Sequence, residues 1–162
     1  MPAMVKPSKP TDTTPLGNLG EARMHDVVGY QVAQASIATL GWFERLVGLP
    51  MALRPVEYTM LTLIHDNPGV TGARLARALA VTAPNIVTWV SRLEERGLVK
   101  RESSATDRRA QSLRTTAAGA KLAGEATRRL LEGEREAFSN LSNAERAMLV
   151  ELLHKVALRR VE

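Results

Sequence analysis

Residues 71–114 have the sequence TGARLARALAVTAPNIVTWVSRLEERGLVKRESSATDRRAQSLR, in which two helical patterns are followed by a basic hairpin pattern. Thr71 can cap the first helix and Thr82 the second. The apolar residues of the second helix recur at i, i+3, i+4 and i+7 and therefore share one face: Ile86, Trp89, Val90 and Leu93. Such a face suits burial in a core, so the pattern predicts a helix–turn–helix.

The opposite face of the second helix is polar. Its side chains follow one another at spacings of three and four, with a proline in the first turn, where it costs little: Pro84, Asn85, Thr88, Arg92 and Glu95. Asparagine can pair bidentately with adenine, and threonine or proline can contact a thymine methyl, so this face fits a DNA major groove. Any solvent-exposed helix face is polar as well, and the pattern alone leaves both interpretations open.

A hairpin is predicted directly after this helix, with strands at residues 98–102 and 111–115. Its loop contains Asp107, Arg108 and Arg109. Arginine on a projecting hairpin suits the narrow, electronegative minor groove. We expect the Asp107 carboxylate to form a bidentate hydrogen bond with the guanidinium of one of these arginines and so to fix the conformation of the loop.

The net charge of the chain is concentrated in this window. Residues 71–114 contain nine basic and four acidic side chains, a net charge of +5, which equals the net charge of all 162 residues. A field of one sign in one sub-domain indicates a polyanion partner. Only 4% of the residues are aromatic, too few for the stacking platforms of single-strand binders, so we predict double-stranded DNA.

Enzymatic and metal-dependent functions have little support in the sequence. The chain has no cysteine and three scattered histidines, His25, His65 and His154, without a paired carboxylate motif or a glycine-rich phosphate loop. We therefore expect no catalytic residue, no metal and no cofactor. The first 20 residues lack the apolar core of a secretory signal, and no stretch is apolar enough to span a membrane, so a cytoplasmic location is expected.

Four regions are predicted along the chain. Residues 1–20, rich in proline, form a disordered tail; residues 21–54 form the first helix, from about 21 to 47, and a linker; residues 55–116 form the DNA-binding lobe; residues 117–162 form a long helix and a last helix. The first helix is apolar nearly all round, so it contacts two partners, one of them a second subunit, or else it is the central core helix of a monomer.

The last helix also needs a partner surface, because leucines recur along it at spacings of three and four. The candidate dimerisation residues are Leu149, Leu152, Leu153 and Val156. The predicted fold is thus mainly α with a small β wing, a winged helix–turn–helix flanked by N- and C-terminal dimerisation helices.

Several motifs resemble the MarR (multiple antibiotic resistance regulator) family. They are LARALAV at 75–81, VSRLEERGLV at 90–99, DRR at 107–109 and TAAG at 116–119. The resemblance implies a dimeric transcription factor of bacteria or archaea, usually a repressor, that binds a pseudo-palindromic operator and is often released by a small aromatic ligand. By position it implies DNA contacts from seven residues: Thr82, Pro84, Asn85, Thr88, Arg92, Arg108 and Arg109. Ala80 departs from the family pattern, which commonly has glycine there, and Thr115 stands where the second wing strand usually ends in leucine.

An effector pocket is expected between the dimerisation helices and the DNA-binding lobe. Its candidate lining is Met24, Tyr30, Trp42, Tyr58 and Met60, although each of them is also a plausible core residue. Two other functions stay open at this point: an architectural DNA-binding protein without strong sequence preference, and a winged-helix protein–protein adaptor.

Overall fold

The computed structural model describes residues 13–103 and 111–160. Two compact units divide the chain, Met1–Gly41 and Trp42–Glu162. The helices are α1 (Val28–Phe43), a π-helical turn (Glu44–Gly48), α2 (Leu49–Met51), α3 (Pro55–Asp66), α4 (Gly72–Leu79), α5 (Ala83–Glu95), α6 (Ala117–Ala137) and α7 (Asn143–Ala157). The strands are β1 (Val70–Thr71), β2 (Val99–Ser103) and β3 (Gln111–Thr115).

The first unit differs from the prediction in two places, at residues 13–20 and at the start of the first helix. Residues 13–20, assigned to a disordered tail, form a loop that a β-bridge between Thr13 and Gly20 closes, while residues 1–12 lie outside the described part. The predicted start of the first helix near residue 21 is wrong, because residues 22–26 form turns and α1 begins at Val28. Glu21 is buried and accepts a hydrogen bond from the Tyr30 hydroxyl at 2.6 Å, which holds the chain in this turn before the helix.

The predicted end of the first helix is also wrong. Instead of stopping before Gly48, the chain continues through the π-helical turn into α2, and Pro50 lies in the first turn of that short helix. Proline is tolerated there because the first N–H groups of a helix have no partner within it. The change of direction occurs at Ala52, which has a left-handed φ of 50°.

A three-stranded antiparallel sheet joins the helix–turn–helix to the wing. The strand order is β1-β3-β2, and the registers are Val70↔Leu113 and Arg101↔Leu113. β3 has the predicted bounds and β2 begins one residue later than predicted. β1 was not predicted, since two residues are too few to show an alternating pattern.

Two hydrophobic clusters form the core of the second unit. The larger one surrounds the helix–turn–helix and includes Met60, Leu61, Ile64, Leu75, Ile86, Val90, Leu93 and Leu113. The smaller one consists of Phe43, Val47, Leu53 and Ala126. α6 contributes Ala123 to the first cluster and Ala126 to the second, so this one helix connects the DNA-binding lobe to the segment that follows α1.

The α6 helix begins at a close approach to the chain before the wing. The Thr116 hydroxyl accepts from the Gly119 N–H at 3.1 Å and donates to the Gly97 carbonyl at 2.6 Å. Gly119 is buried, and a Cβ built on it would lie 1.9 Å from the Leu98 carbonyl oxygen. The Thr-Ala-Ala-Gly sequence therefore combines a helix cap with the one residue small enough for this contact.

The α7 helix has no buried residue. Its start is a capping box, in which the Ser142 hydroxyl accepts from the Glu145 N–H and the Glu145 carboxylate accepts from the Ser142 N–H at 2.8 Å. The predicted dimerisation residues are between 44% and 53% exposed: Leu149, Leu152, Leu153 and Val156. A row of half-exposed leucines is a surface that another chain can cover.

Candidate nucleic-acid interface

The turn of the helix–turn–helix is built from one cap and one left-handed residue. The Thr71 hydroxyl accepts from the Arg74 N–H at the start of α4, as predicted. Ala80 ends α4 with φ 52° and ψ 44°, a conformation that costs a non-glycine residue roughly 1–2 kcal/mol. The glycine common in the family pattern would avoid that cost. The turn nevertheless closes, because the Val81 N–H reaches the Ala76 carbonyl at 3.0 Å.

Thr82 occupies the N-cap position of α5, but its side chain makes no capping hydrogen bond. The prediction that Thr82 caps this helix by its hydroxyl is therefore wrong. Pro84 at the start of the helix has no N–H, so fewer donors there require a cap. The Thr82 side chain is exposed to solvent.

The two faces of α5 separate as the spacing predicts. Ile86, Val90 and Leu93 are buried, and Trp89 is half-buried against the same core. The candidate DNA-contact residues of this helix are exposed, except for the half-buried Arg92: Thr82, Pro84, Asn85, Thr88 and Arg92. The exposed side chains form one polar surface of the helix, here called the polar ridge. The buried apolar side chains on the other face fix the helix to the core.

Thr88, on the polar ridge, uses its hydroxyl hydrogen for a bond within the helix. Its hydroxyl donates to the Pro84 carbonyl at 3.1 Å, within the helix. The donor is thus used internally, and the γ-methyl and the oxygen lone pairs are what Thr88 can offer to a base edge.

The basic residues of the window fall into two groups. Among the described residues, Arg74, Arg77 and Arg92 have no carboxylate within ion-pair distance. The other four described cations at the base of the wing and the end of α5 are paired: Arg96 with Glu57, Lys100 and Arg114 with Glu102, and Arg101 with Glu94. Counting charges in the sequence could not show this difference, because the partners are set by the fold.

One carboxylate at the base of the wing pairs with two basic side chains. The Glu102 carboxylate lies 2.7 Å from Lys100 Nζ and 2.8 Å from Arg114 Nε, with Lys100 and Arg114 on paired strands. The hydrogen bond from Lys100, with Arg114 beside it, holds the pKa of Glu102 below its ordinary value. The wing loop itself, with Asp107, Arg108 and Arg109, lies outside the described residues, so their roles stay predictions.

The five residues expected to line an effector pocket are divided between the two units. Met24 and Tyr30 belong to the first unit, and Met60 is fully buried in the core of the second. Tyr58 is half-buried, with its hydroxyl 3.0 Å from Thr127 Oγ1, and the Trp42 ring lies under the Arg45 guanidinium at 4.8 Å. Three of the five therefore have core or packing roles in the second unit.

An open cleft of about 480 Å³ lies within the second unit, between α3 and α6. Ten residues line it: Thr62, His65, Asp66, Ala123, Gly124, Thr127, Arg128, Leu131, Glu132 and Arg135. The Thr62 hydroxyl is buried and has no hydrogen-bond partner among the described residues. No simple sequence signal marks this cleft, because its walls come from helices 60 residues apart.

Within residues 13–103 and 111–160, no three histidine, aspartate or glutamate side chains are grouped as a metal site requires. In the same ranges no helix combines the length and the apolar composition needed to cross a bilayer.

A helix–turn–helix followed by a β hairpin and a capped helix defines the class of winged-helix DNA-binding proteins. The pattern of the MarR family matches residues 48–110, from α2 to the wing. A protein of Thauera aromatica, named for transcriptional regulation of the hcr operon, is 32% identical over 141 residues, which are 87% of this chain and 85% of that protein. The chain belongs to the MarR family.

Solved structures agree with this assignment. The transcriptional repressor CouR, bound to a 23-mer DNA duplex, is 27% identical with a TM-score of 0.78, over 86% of this chain and 98% of that one. The regulator PcaV of Streptomyces coelicolor, in complex with its natural ligand, has a TM-score of 0.72 over 84% of this chain and 95% of that one. At 20% identity, the second likeness shows the fold alone. The family and its fold make this chain a DNA-binding transcriptional regulator.

Proposed function

We propose that this regulator is a sequence-specific repressor that binds a pseudo-palindromic operator as a homodimer and is released by a small ligand. The observation that carries the proposal is the polar ridge of α5, exposed above a buried apolar base. Asn85 and Thr88 on that ridge supply the chemistry that distinguishes bases in the major groove. CouR is named a repressor and was solved on DNA, which supports the same role here.

The dimer is supported by the exposed leucines of α7. An unpartnered row of this kind is costly in water, and a second copy of the same helix can cover it in a two-fold arrangement. A two-fold dimer would place two α5 helices roughly 34–36 Å apart, one turn of DNA. The pseudo-palindromic operator follows from that symmetry. Such a protein works where the chromosome is, so the proposed location is the cytoplasm.

The ligand is proposed to bind in the α3–α6 cleft. The buried Thr62 hydroxyl offers a hydrogen bond, Leu131 offers apolar surface, and the exposed Arg135 offers a positive charge. This combination fits a small molecule with an apolar body, which can be aromatic, and a polar or anionic group. PcaV, of the same fold, was solved with its natural ligand.

Footprinting on the DNA upstream of the protein's own gene tests the proposal. We expect a protected pseudo-palindrome, bound with a Kd at least 10³-fold lower than that for a random duplex at the same salt concentration. Equal affinity for both duplexes would instead support an architectural DNA-binding protein. No affinity for either would support a protein–protein adaptor.

A further inference from the structure

One arginine at the base of the wing contacts both α5 and β3. Arg101 Nε, on β2, lies 3.0 Å from Glu94 Oε2, and one Nη donates to Ser91 Oγ at 3.3 Å. The other Nη donates to Gln111 Oε1 on β3 at 3.5 Å, the longest of the three contacts. A single guanidinium therefore connects α5 with both strands of the wing.

The chemistry of the group suits this connection. Ser91 and Glu94 are three residues apart on α5, so they are neighbours on one flank of the helix. A planar guanidinium has several N–H donors in fixed directions and can reach both of them while also reaching Gln111. A lysine ammonium at the same position has the same charge but lacks the planar set of N–H donors that reaches several acceptors at once.

The flank that Arg101 holds is also the side of α5 nearest the wing. β2 and β3 pair at Arg101↔Leu113 and Ser103↔Gln111, so a fixed Arg101 sets the direction of the whole hairpin. DNA-binding proteins can place a recognition helix in the major groove and a second element in the adjacent minor groove. The relative position of α5 and the wing thus decides whether both can bind together.

We propose that Arg101 is a positioning residue for operator recognition, which fixes the wing against α5 through Glu94, and that it is not itself a phosphate ligand. The part that concerns DNA rests on the proposed sequence-specific function. The part that concerns the wing does not.

Substitution of Glu94 distinguishes two explanations, because they predict opposite changes in operator affinity. If only charge mattered, removal of an acid beside the DNA surface would strengthen binding to every duplex. If Glu94 holds Arg101, its removal weakens operator binding. Glu95 is the matched control, because it is the next residue on α5, is exposed, and has no basic partner within ion-pair distance among the described residues.

In competition binding at fixed salt, we expect Glu94→Gln to weaken operator binding by about 5-fold and to leave random-duplex binding unchanged or stronger. Glu95→Gln should strengthen binding to both the operator and the random duplex. Arg101→Lys should weaken operator binding to a similar extent without changing the slope of log K against log salt, since the charge is kept.

A second measurement needs no DNA. The chain has no cysteine, so cysteines introduced at Thr88 and Ser103 carry spin labels on α5 and at the end of β2. Pulsed electron resonance should give a narrow distance distribution in the parent and a broader one with Glu94→Gln or Arg101→Lys. Glu95→Gln should leave the distribution narrow.

The proposal is overturned if Glu94→Gln strengthens operator binding as Glu95→Gln does, or if the label distances are the same in all variants. It is also overturned if replacement of Arg101 by methionine lowers the salt slope by about one unit and weakens both duplexes alike, since that identifies a phosphate contact. A wild-type protein without operator preference contradicts the proposed function alone, and the label distances then decide the role of Arg101.

Discussion

We expect base recognition to depend most on Asn85. It is exposed at the start of α5, on the ridge that the buried Ile86 and Val90 hold in place. We expect Asn85→Ala to cost about 1–3 kcal/mol of binding free energy on the operator and little on random DNA, because a bidentate base contact carries sequence information. Parallel binding titrations on the two duplexes measure this difference.

Asn140→Ala is the matched control for Asn85→Ala, since Asn140 is an exposed asparagine in the turn between α6 and α7. It should leave both affinities unchanged. An equal loss on both duplexes with Asn85→Ala would show a backbone contact or a purely structural role.

Two glycines of α6 predict opposite effects of the same substitution. Gly119→Ala places a methyl group against the Leu98 carbonyl, a backbone atom that cannot move alone, so the free energy of unfolding should fall by about 1–3 kcal/mol. Gly124→Ala meets nothing within 4 Å and should raise it by about 0.5–1 kcal/mol, as alanine favours a helix interior. Urea unfolding of the two variants measures both. Unchanged or increased stability with Gly119→Ala would contradict the contact at Leu98, and a loss with Gly124→Ala would contradict the expected gain in helix propensity.

At the scale of one element, α6 carries an ion-pair cluster that makes its stability depend on pH. Hydrogen bonds from Arg128 and then Arg129 lower the pKa of Glu125 from 4.5 to about 2. A carboxylate whose pKa is depressed in the folded state stabilises the fold above its unfolded pKa, and this contribution is lost as the pH falls from about 4.5 towards 2. The cluster is exposed, so water and salt screen it.

Glu125→Gln should therefore reduce the fall in unfolding free energy between pH 5 and pH 3, measured by urea unfolding at low salt. Glu136→Gln, on the same helix and without an ion pair among the described residues, should leave the fall as it is in the wild type. Parallel pH profiles for wild type and Glu125→Gln would show that the cluster contributes nothing.

The elements differ in how far the sequence predicts them. The ends of α3 follow from Pro55 at its start and from the Asn-Pro-Gly sequence at 67–69 after it. The end of α1 was predicted incorrectly because Gly48 and Pro50 are accommodated in a π-helical turn and a new first helical turn. β1 exists only because β3 lies beside it to pair with Val70 and Thr71.

At the scale of the whole molecule, the exposed α7 predicts an assembly. Replacement of Leu152 and Leu153 by glutamate should dissociate the proposed dimer, since each buried leucine contributes roughly 1.5–3 kcal/mol and a buried charge is costly. Operator affinity should fall by about 10²–10⁴-fold, because a monomer loses the second linked half-site contact. Sedimentation, circular dichroism and operator titration together measure the three consequences.

Asn140→Glu adds a charge at an exposed polar position and serves as the control for the leucine variant. A helical monomer with weak operator binding supports the dimer. A wild-type chain that sediments as a monomer at micromolar concentration contradicts it, and so does a leucine variant that stays dimeric.

The sequence by itself determined the winged helix–turn–helix, the polar face of α5, the cap at Thr71, and the family. Each depends on residues within about one or two turns of one another, where spacing, capping and turn preferences act directly.

Only the tertiary structure decided which charges remain available to DNA. Glu57 and Arg96 are 39 positions apart and Arg101 and Gln111 are on different strands, yet each pair is in contact. The same holds for the α3–α6 cleft and for the left-handed turn at Ala80. The physical reason is that the partner of a side chain is chosen by packing between elements, and no local pattern in the sequence records that choice.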